Sequence, residues 1–314
     1  MKTMKAVRIH EFNGLEVVRY EDIPVPSPGA GQVLLAVHAA GVNPVDWQLT
    51  YGINQEFMQR ALPTIPGFDV AGVVVETGAE VSRFSVGDAV YGQCDFRFDG
   101  SFADYMVSSV HRLDRKPGNL DFVEAASVPV GAMAAWDGLF RKDAIDLQAG
   151  QTLLVHGAAG GVGVFAVQFA KWRQARVIAT GSAYNRDFLL DLGADRFIDY
   201  HNEAFEDCGE PVDAVLDAIG GDTQLRSRGL IRPGGVLASL VGEQWHGGPE
   251  RDDIRKVVVH GGFIPEQLPE ISRLLEAGTV RPVISHIMPL NEFAKALALS
   301  KTGHVRGKIV LQIR

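Results

Sequence analysis

One stretch constrains this chain more than any other. From Leu153 to Lys171 it reads LLVHGAAGGVGVFAVQFAK, an apolar run, a glycine cluster and a second apolar run with no break. TLLVHG has the composition of a buried strand and GVGVFAVQFAKWR that of a helix. The glycines Gly157, Gly160, Gly161 and Gly163 therefore sit at a strand-to-helix turn. Their register is Ala158-x-Gly160-x-x-Gly163, the G-x-G-x-x-G fingerprint of a dinucleotide-binding turn with Ala in the first place. Gly160 lets the backbone approach a pyrophosphate, and Gly163 lets the helix pack closely on the strand. The helix N-terminus offers free N–H groups and the positive end of its dipole. Ala159, Gly160, Gly161, Val162 and Gly163 are thus expected to hold the phosphates. A glycine turn without a ligand has the same local pattern; the strand before it and the helix after it favour the nucleotide.

The surroundings extend this reading. After the turn come ARVIATG (strand), AYNRDFLLDLG (helix), DRFIDY and VDAVLDAIG (strands), DTQLRSRGLIRPGG (helix with a stop signal), then GVLASLVG and KVVVHG (strands). Such alternation means βαβ units and a parallel sheet, a Rossmann-type α/β domain. DFVEAASVPVGAMAAWDGLFRK precedes it as a helical run, with Asp121 as its N-cap. The first 120 or so residues are instead β-rich, with short apolar runs such as QVLLAVHAAGVN and DVAGVVVETG ended by Gly or Asn. In the tail, PEQLPEISRLLEAG and LNEFAKALALSKTG read as amphipathic helices closed by Gly, and RPVISHI and GKIVLQIR as strands. The tail is read as returning to the first domain. The expected division is 1–123 with 266–314, and 124–265.

Composition narrows the function classes. The chain has 314 residues, enough for about two domains. Its formal charge is −8 with no dense Lys/Arg run, which speaks against nucleic acid or an anionic membrane surface as partner. Two cysteines, Cys94 and Cys208, lie far apart, which argues against a disulfide scaffold and fits a reducing compartment. No stretch of about 18 apolar residues suggests a membrane span, and the first residues do not read as a signal peptide. A cytoplasmic protein is expected.

The second strand of the series selects the dinucleotide. NAD sites place Asp or Glu at its end. Here ARVIATG is followed by Gly181, Ser182, Ala183, Tyr184, Asn185 and Arg186, with no acid before Asp187. Ser182 and Arg186 suit a 2′-phosphate, so NADP (NADPH) is the expected cofactor; a solvated Arg186 is the alternative. Ala218, Ile219 and Gly220 close the fourth strand and Val241 and Gly242 the fifth, at the carboxyl edge where nucleotides lie. His260 follows VVV near the nicotinamide side and is a candidate cofactor contact, with a structural histidine as the alternative.

These residues also carry a resemblance. AAGGVG after LLVHG, with AAGVNPVDW, PGFDVAGVVVETG, VSRFSVGDAVYG, GSFADYMV, LGADRFIDY and GKIVLQI, resembles the zinc-free quinone oxidoreductase (zeta-crystallin-like) branch of the medium-chain dehydrogenase/reductase superfamily, in the family's order and over nearly the whole chain. The resemblance implies a split GroES-like catalytic domain, a Rossmann domain between its parts, a site in the cleft and a homodimer through edge strands such as KVVVHG. It also implies where zinc ligands would stand in the metal-dependent branch: Asn43 occupies the Cys position and Phe68 the His position. Two cysteines cannot build a four-cysteine structural site either. No zinc is expected. Alcohol oxidation without zinc lacks an alkoxide stabiliser, so hydride delivery to an electrophilic quinone or α,β-unsaturated carbonyl is the expected chemistry. Short-chain dehydrogenases are excluded, since no Tyr has Lys four residues later.

Within this reading Asn43 lies near the nicotinamide, its amide bonding substrate or cofactor; a turn residue before Pro44 is the alternative. Asp46 orients that loop or relays a proton. Tyr51 is a candidate proton donor or stacking surface. Met133 stands where the family has Thr, with Pro129 and Val130 on the same wall. Tyr200 is placed beside the adenosine phosphate region. Arg306 and Lys308 are candidate cleft residues, with a solvated face as the alternative. Two other functions remain open: an NADPH-binding protein with a structural or sensing role, and a reductase of another activated alkene or aldehyde.

Overall fold

The structure is a computed structural model that describes residues 2–209, 211–242, 251–261 and 264–314. In chain order its main elements are β1 (Thr3–Ile9), β2 (Val18–Pro24), β3 (Gln32–Val42), α1 (Pro44–Thr50), α2 (Gln55–Met58), β4 (Asp69–Thr77), β5 (Ala89–Gln93), β6 (Tyr105–Ser109), β7 (Leu113–Arg115), α3 (Phe122–Ala126), α4 (Pro129–Phe140), β8 (Thr152–His156), α5 (Gly163–Trp172), β9 (Arg176–Gly181), α6 (Arg186–Asp191), β10 (Arg196–Asp199), β11 (Val212–Asp217), α7 (Gly221–Ser227), β12 (Ile231–Ser239), β13 (Arg255–Val258), α8 (Gln267–Glu276), β14 (Ile284–Pro289), α9 (Phe293–Lys301) and β15 (Lys308–Gln312). They form two compact units, one of Met1–Val130, Phe263–Gly278 and Pro282–Arg314, the other of Gly131–Gly262 and Thr279–Arg281.

The first unit is β-rich. Its larger sheet runs β14-β15-β3-β4-β5-β7, with β6 also on β3, and β1 and β2 form a separate antiparallel pair. β3 is the spine: at eleven residues it pairs with β4, β6 and β15. The tail therefore joins the first unit through β15. One core packs Met4, Val42 and Phe102 against Phe293, Leu297, Ile309 and Leu311; a second gathers Leu35, Val37, Val74, Val90 and Met106. α3 packs on β3 and β4.

The second unit carries a six-stranded parallel sheet in the order β10-β9-β8-β11-β12-β13. Numbered from β8, that is 3-2-1-4-5-6, the Rossmann order. Strands buried on both faces read as continuous apolar runs. β8 is buried throughout, and Leu154, Ile178, Ile198, Val215 and Leu237 meet in one cluster.

Three local features differ from the expectation. α1 takes the place of a turn at Asn43. Its signals are all in the sequence: Asn at the N-cap, Pro at the first helical position and Asp three residues on, whose carboxylate accepts from Asn43 N–H at 2.6 Å. The long helical run after Asp121 divides into α3 and α4, because Pro129 disfavours a helical residue before it. LIRPGG does not close a helix; Ile231 already begins β12.

His156 is a polar residue inside the parallel sheet. Its Nε2 lies 2.9 Å from Ser227 Oγ and its Nδ1 3.1 Å from Thr180 Oγ1. Ser227 Oγ donates to Thr223 O, so it accepts from His156, which fixes the proton on Nε2. Burial holds the imidazole neutral, its pKa lowered from 6.5 to about 4. The stability this contributes is complete above pH 6.5 and is lost as pH falls through about 4. Over that interval the loss reaches ~3 kcal/mol at 1.36 kcal/mol per unit. Denaturant unfolding across this range should show His156→Gln less pH-dependent than wild type by that order.

Candidate active site

The first cluster follows from strand register. β15 pairs antiparallel with β3, Ile309 opposite Val42, so Lys308 arrives beside Asn43. β4 also pairs with β3, and its first residue, Asp69, reaches the same point. Asn43 Nδ2 donates to Asp69 Oδ2 at 2.8 Å, and Lys308 Nζ donates to Asn43 Oδ1 at 2.7 Å. Lys308 Nζ stands 3.6 Å from Asp69 Oδ2. The other carboxylate oxygen of Asp69 accepts from Val130 N–H at 2.6 Å. Asn43, Asp46, Asp69 and Lys308 are all buried.

Asp46 lies one helical step away and faces two amides: Oδ2 accepts from Asn43 N–H and Oδ1 from Gly67 N–H at 2.9 Å. Burial pushes Asp46 up to about 8; the amide bonds and Lys308 oppose this, and Asp69 adds to it. Burial likewise raises Asp69, with Lys308 and Asn43 opposing. Asp46 thus holds the α1 N-terminus to the Gly67 turn. Asn43 has a bond on each end of its amide inside the protein. Lys308, for which a solvated face was the alternative, is the cation of a buried network.

Tyr51 caps α1 at its far end and is outside this cluster. Its hydroxyl accepts from Lys301 Nζ at 2.7 Å, and its ring stands edge-on to Trp47. Phe68 is buried, with its ring centroid 4.8 Å from that of Phe96. Cys94 is buried against Met106, and burial pushes its thiol up. Among the described residues no three His, Cys, Asp or Glu side chains converge as a metal would need.

The second cluster is the glycine turn between β8 and α5. A Cβ on Gly163 would lie 2.3 Å from Gly157 O and 2.5 Å from Ala158 Cα, so helix-on-strand packing demands glycine there. A Cβ on Gly160 would meet only Gly157 O at 3.3 Å, with open space otherwise. Packing therefore demands much less of Gly160 than of Gly163. Among the described residues no carbonyl accepts from the N–H of Gly161, Val162 or Gly163. These donors, at the start of a ten-residue helix, suit a pyrophosphate.

At the end of β9, Tyr200 N–H donates to Gly181 O, which brings Tyr200 to Ser182. Asn185 Nδ2 donates to Ser182 Oγ at 3.2 Å. Arg186 stacks over Phe197 and pairs with Glu203 at 3.4 Å, an exposed contact. The rings of Tyr200 and its neighbour His201 lie tilted, with centroids 4.3 Å apart. At the ends of β11 and β12, Ile219 and Val241 are about half exposed, and Ala218 lies against Gly157. The buried Asp217, unremarked in the sequence, shapes this edge: its carboxylate accepts from Ile219 N–H, Gly220 N–H, Gln224 Nε2 and Ser239 Oγ. Met133 is fully buried and Pro129 is buried. His260 is exposed beyond β13, and Arg306 is partly exposed near the start of β15. Asp69, the centre of the first cluster, was legible only as a carboxylate opening an apolar strand.

Two predictions separate packing from function. Gly163→Ala should lower the melting temperature of the protein strongly, whereas Gly160→Ala should melt near wild type yet lose nucleotide binding in calorimetric titration. Lys308→Met leaves Asp69 as a buried charge without its cation, and denaturant unfolding should show a loss of about 3–5 kcal/mol.

Comparison with known proteins adds the family. Residues 29–118 match the alcohol dehydrogenase GroES-like domain, and residues 192–311 match the zinc-binding dehydrogenase domain. The chain is 35% identical over 320 residues to the 2-methylene-furan-3-one reductase of Solanum lycopersicum, covering 98% of this chain and 79% of that one. It is 35% identical over 322 residues to the chloroplastic NADPH-dependent alkenal/one oxidoreductase of Arabidopsis thaliana, covering 99% and 80%. The quinone oxidoreductase structure from Coxiella burnetii superposes with a TM-score of 0.90 at 33% identity, covering all of both chains. The chain belongs to the quinone-oxidoreductase-like branch of the medium-chain dehydrogenase/reductase superfamily, and it is an oxidoreductase.

Proposed function

We propose that the protein reduces quinones or α,β-unsaturated carbonyl compounds by hydride transfer from NADPH, without zinc. The Asn43 group carries this reading. A zinc ion needs deprotonated or lone-pair ligands that converge. Here the amide of Asn43 is bonded to an ammonium and a carboxylate, Phe68 offers no ligand atom, and burial disfavours a Cys94 thiolate. These residues do not fit zinc. The acceptor must then be electrophilic on its own account. The relatives' names agree: each of the three describes a quinone or a carbonyl conjugated to an alkene.

NADPH, when bound, supplies the hydride. The N–H groups of Gly161, Val162 and Gly163 receive its pyrophosphate. Ser182, Arg186 and Tyr200 receive the 2′-phosphate, and Arg186 exchanges its exposed Glu203 partner, a pair worth little, for a charge-assisted bond. Ile219 and Val241 offer the nucleotide apolar contact. Asn43, Asp46 and Lys308 hold the first turn of α1 and so the floor of the acceptor site. β13 is an outer strand of its sheet, which supports pairing with a second copy.

The test is turnover of 1,4-benzoquinone and an open-chain enone with each cofactor. NADPH should be preferred to NADH, Arg186→Ala should narrow that preference by about tenfold, and a zinc chelator should leave the rate unchanged. Preference for NADH, or a rate lost to the chelator, would overturn the reading.

A further inference from the structure

Arg60 is a charged residue that the fold has buried, at 4% exposure. Its Nε donates to Phe96 O at 2.6 Å, and its Nη1 donates to Thr64 Oγ1 at 2.9 Å and Ile65 O at 3.1 Å. Its guanidinium lies over the ring of Phe68, 5.2 Å from the centroid. Its Nη2 is buried without a partner. Among the described residues no carboxylate pairs with it directly; Asp99 is reached only through the Thr64 hydroxyl. A buried cation with an unmade bond is costly, and native proteins rarely retain one without a use.

The segment just before Arg60, bonded to its carbonyl through Gln55, is itself strained. α2 has four residues, and the non-glycine residues on either side, Asn54 and Gln59, both adopt the left-handed region (φ 64° and 50°). Such conformations persist where the surroundings impose them and gather at ligand sites. Gln55 bonds Arg60 O through Nε2, while its Oε1 is buried without a partner. Phe57 projects from this turn at 66% exposure, and its ring stands 6.1 Å from Phe96, which in turn packs on Phe68. An aromatic path thus leads from solvent to the guanidinium, beside the position that carries the metal-binding His in the zinc branch.

We propose that Arg60 is a catalytic residue of the acceptor site: Nη2 donates a hydrogen bond to the acceptor oxygen on which negative charge collects, once the Gln55–Met58 turn moves aside. This rests on the hydride-transfer reading above. Hydride addition at the β-carbon of an enone shifts the C=C π pair into a new double bond between the α-carbon and the carbonyl carbon, and the carbonyl π pair onto oxygen, giving an enolate. The guanidinium stays protonated and holds that oxygen. A proton from water then forms the α C–H bond and restores the ketone. A clamp on residues 64, 65 and 96 needs only Nε and Nη1; the remaining nitrogen is what a planar, conjugated oxyanion would use.

The probe is 4-nitrophenolate, a planar ring bearing a charged oxygen, titrated by absorbance into wild type, Arg60→Met and Arg60→Lys in the presence of NADP⁺. Enone kcat and KM, melting temperature and NADPH affinity are measured alongside. Both variants should lose nitrophenolate affinity by at least tenfold and kcat by about 10²-fold, the cost of one oxyanion donor, with NADPH affinity retained. Folded variants that keep both would overturn the proposal and leave the reductase reading intact. So would a wild type that does not bind nitrophenolate, or two variants that both fail to fold, which would make Arg60 a structural clamp. Arg60-dependent nitrophenolate binding without turnover of any enone or quinone would instead overturn the hydride reading and sustain the oxyanion site.

Discussion

The carboxylate of Asp69 is the interaction on which the first unit depends. It gathers four stretches of chain that are distant in sequence: the β3–α1 corner through Asn43, the start of β4 on which it sits, the start of α4 through Val130 N–H, and the C-terminal strand through Lys308. Closing such long loops costs entropy that rises only slowly with length, but it must be met by contacts that cannot be exchanged for others. A buried carboxylate with one cation and two directed donors is such a contact, since losing either side strands a charge in the core. The β3–β15 register places Lys308 there, so sheet pairing and ion pairing specify the same arrangement.

The same network fills the corner before α1: the amide of Asn43 is bonded at both ends, to Lys308 and to Asp69. Under the proposed reaction, fixed dipoles of this kind suit acceptors already polarised by conjugation. In the second unit the division of labour is between two glycines. Gly163 is required by helix packing, whereas a Cβ on Gly160 would meet only Gly157 O, at 3.3 Å.

Much of this was legible in the sequence because local rules and the global fold agree. The strand–turn–helix rhythm after Leu153 identifies the parallel sheet, since its central strand β8 is buried throughout and reads as an apolar run. Gly278 and Gly303 marked the ends of α8 and α9, and both take positive φ. What was not legible is what depends on pairing across long separations. Nothing near Asp69 announces that Lys308 will neutralise it. Nothing in the sequence around Arg60 announces its burial, which comes with bonds to Phe96 O, Thr64 Oγ1 and Ile65 O. Ile231 was read as helical because its Pro-Gly-Gly neighbours resemble a stop signal, whereas parallel pairing with β11 claims it for β12. Helix α1 has seven residues, too few for a periodic pattern, although its cap signals are present in the sequence.

The most direct test of the account is the fate of a labelled hydride in protein of measured metal content. Enone is turned over with NADPH deuterated at the reactive C4 position, and the product is analysed by mass spectrometry and NMR. The account predicts one deuterium, on the carbon β to the carbonyl, at a rate that does not scale with bound zinc. Product without deuterium at that carbon, or a rate proportional to zinc content, would contradict it.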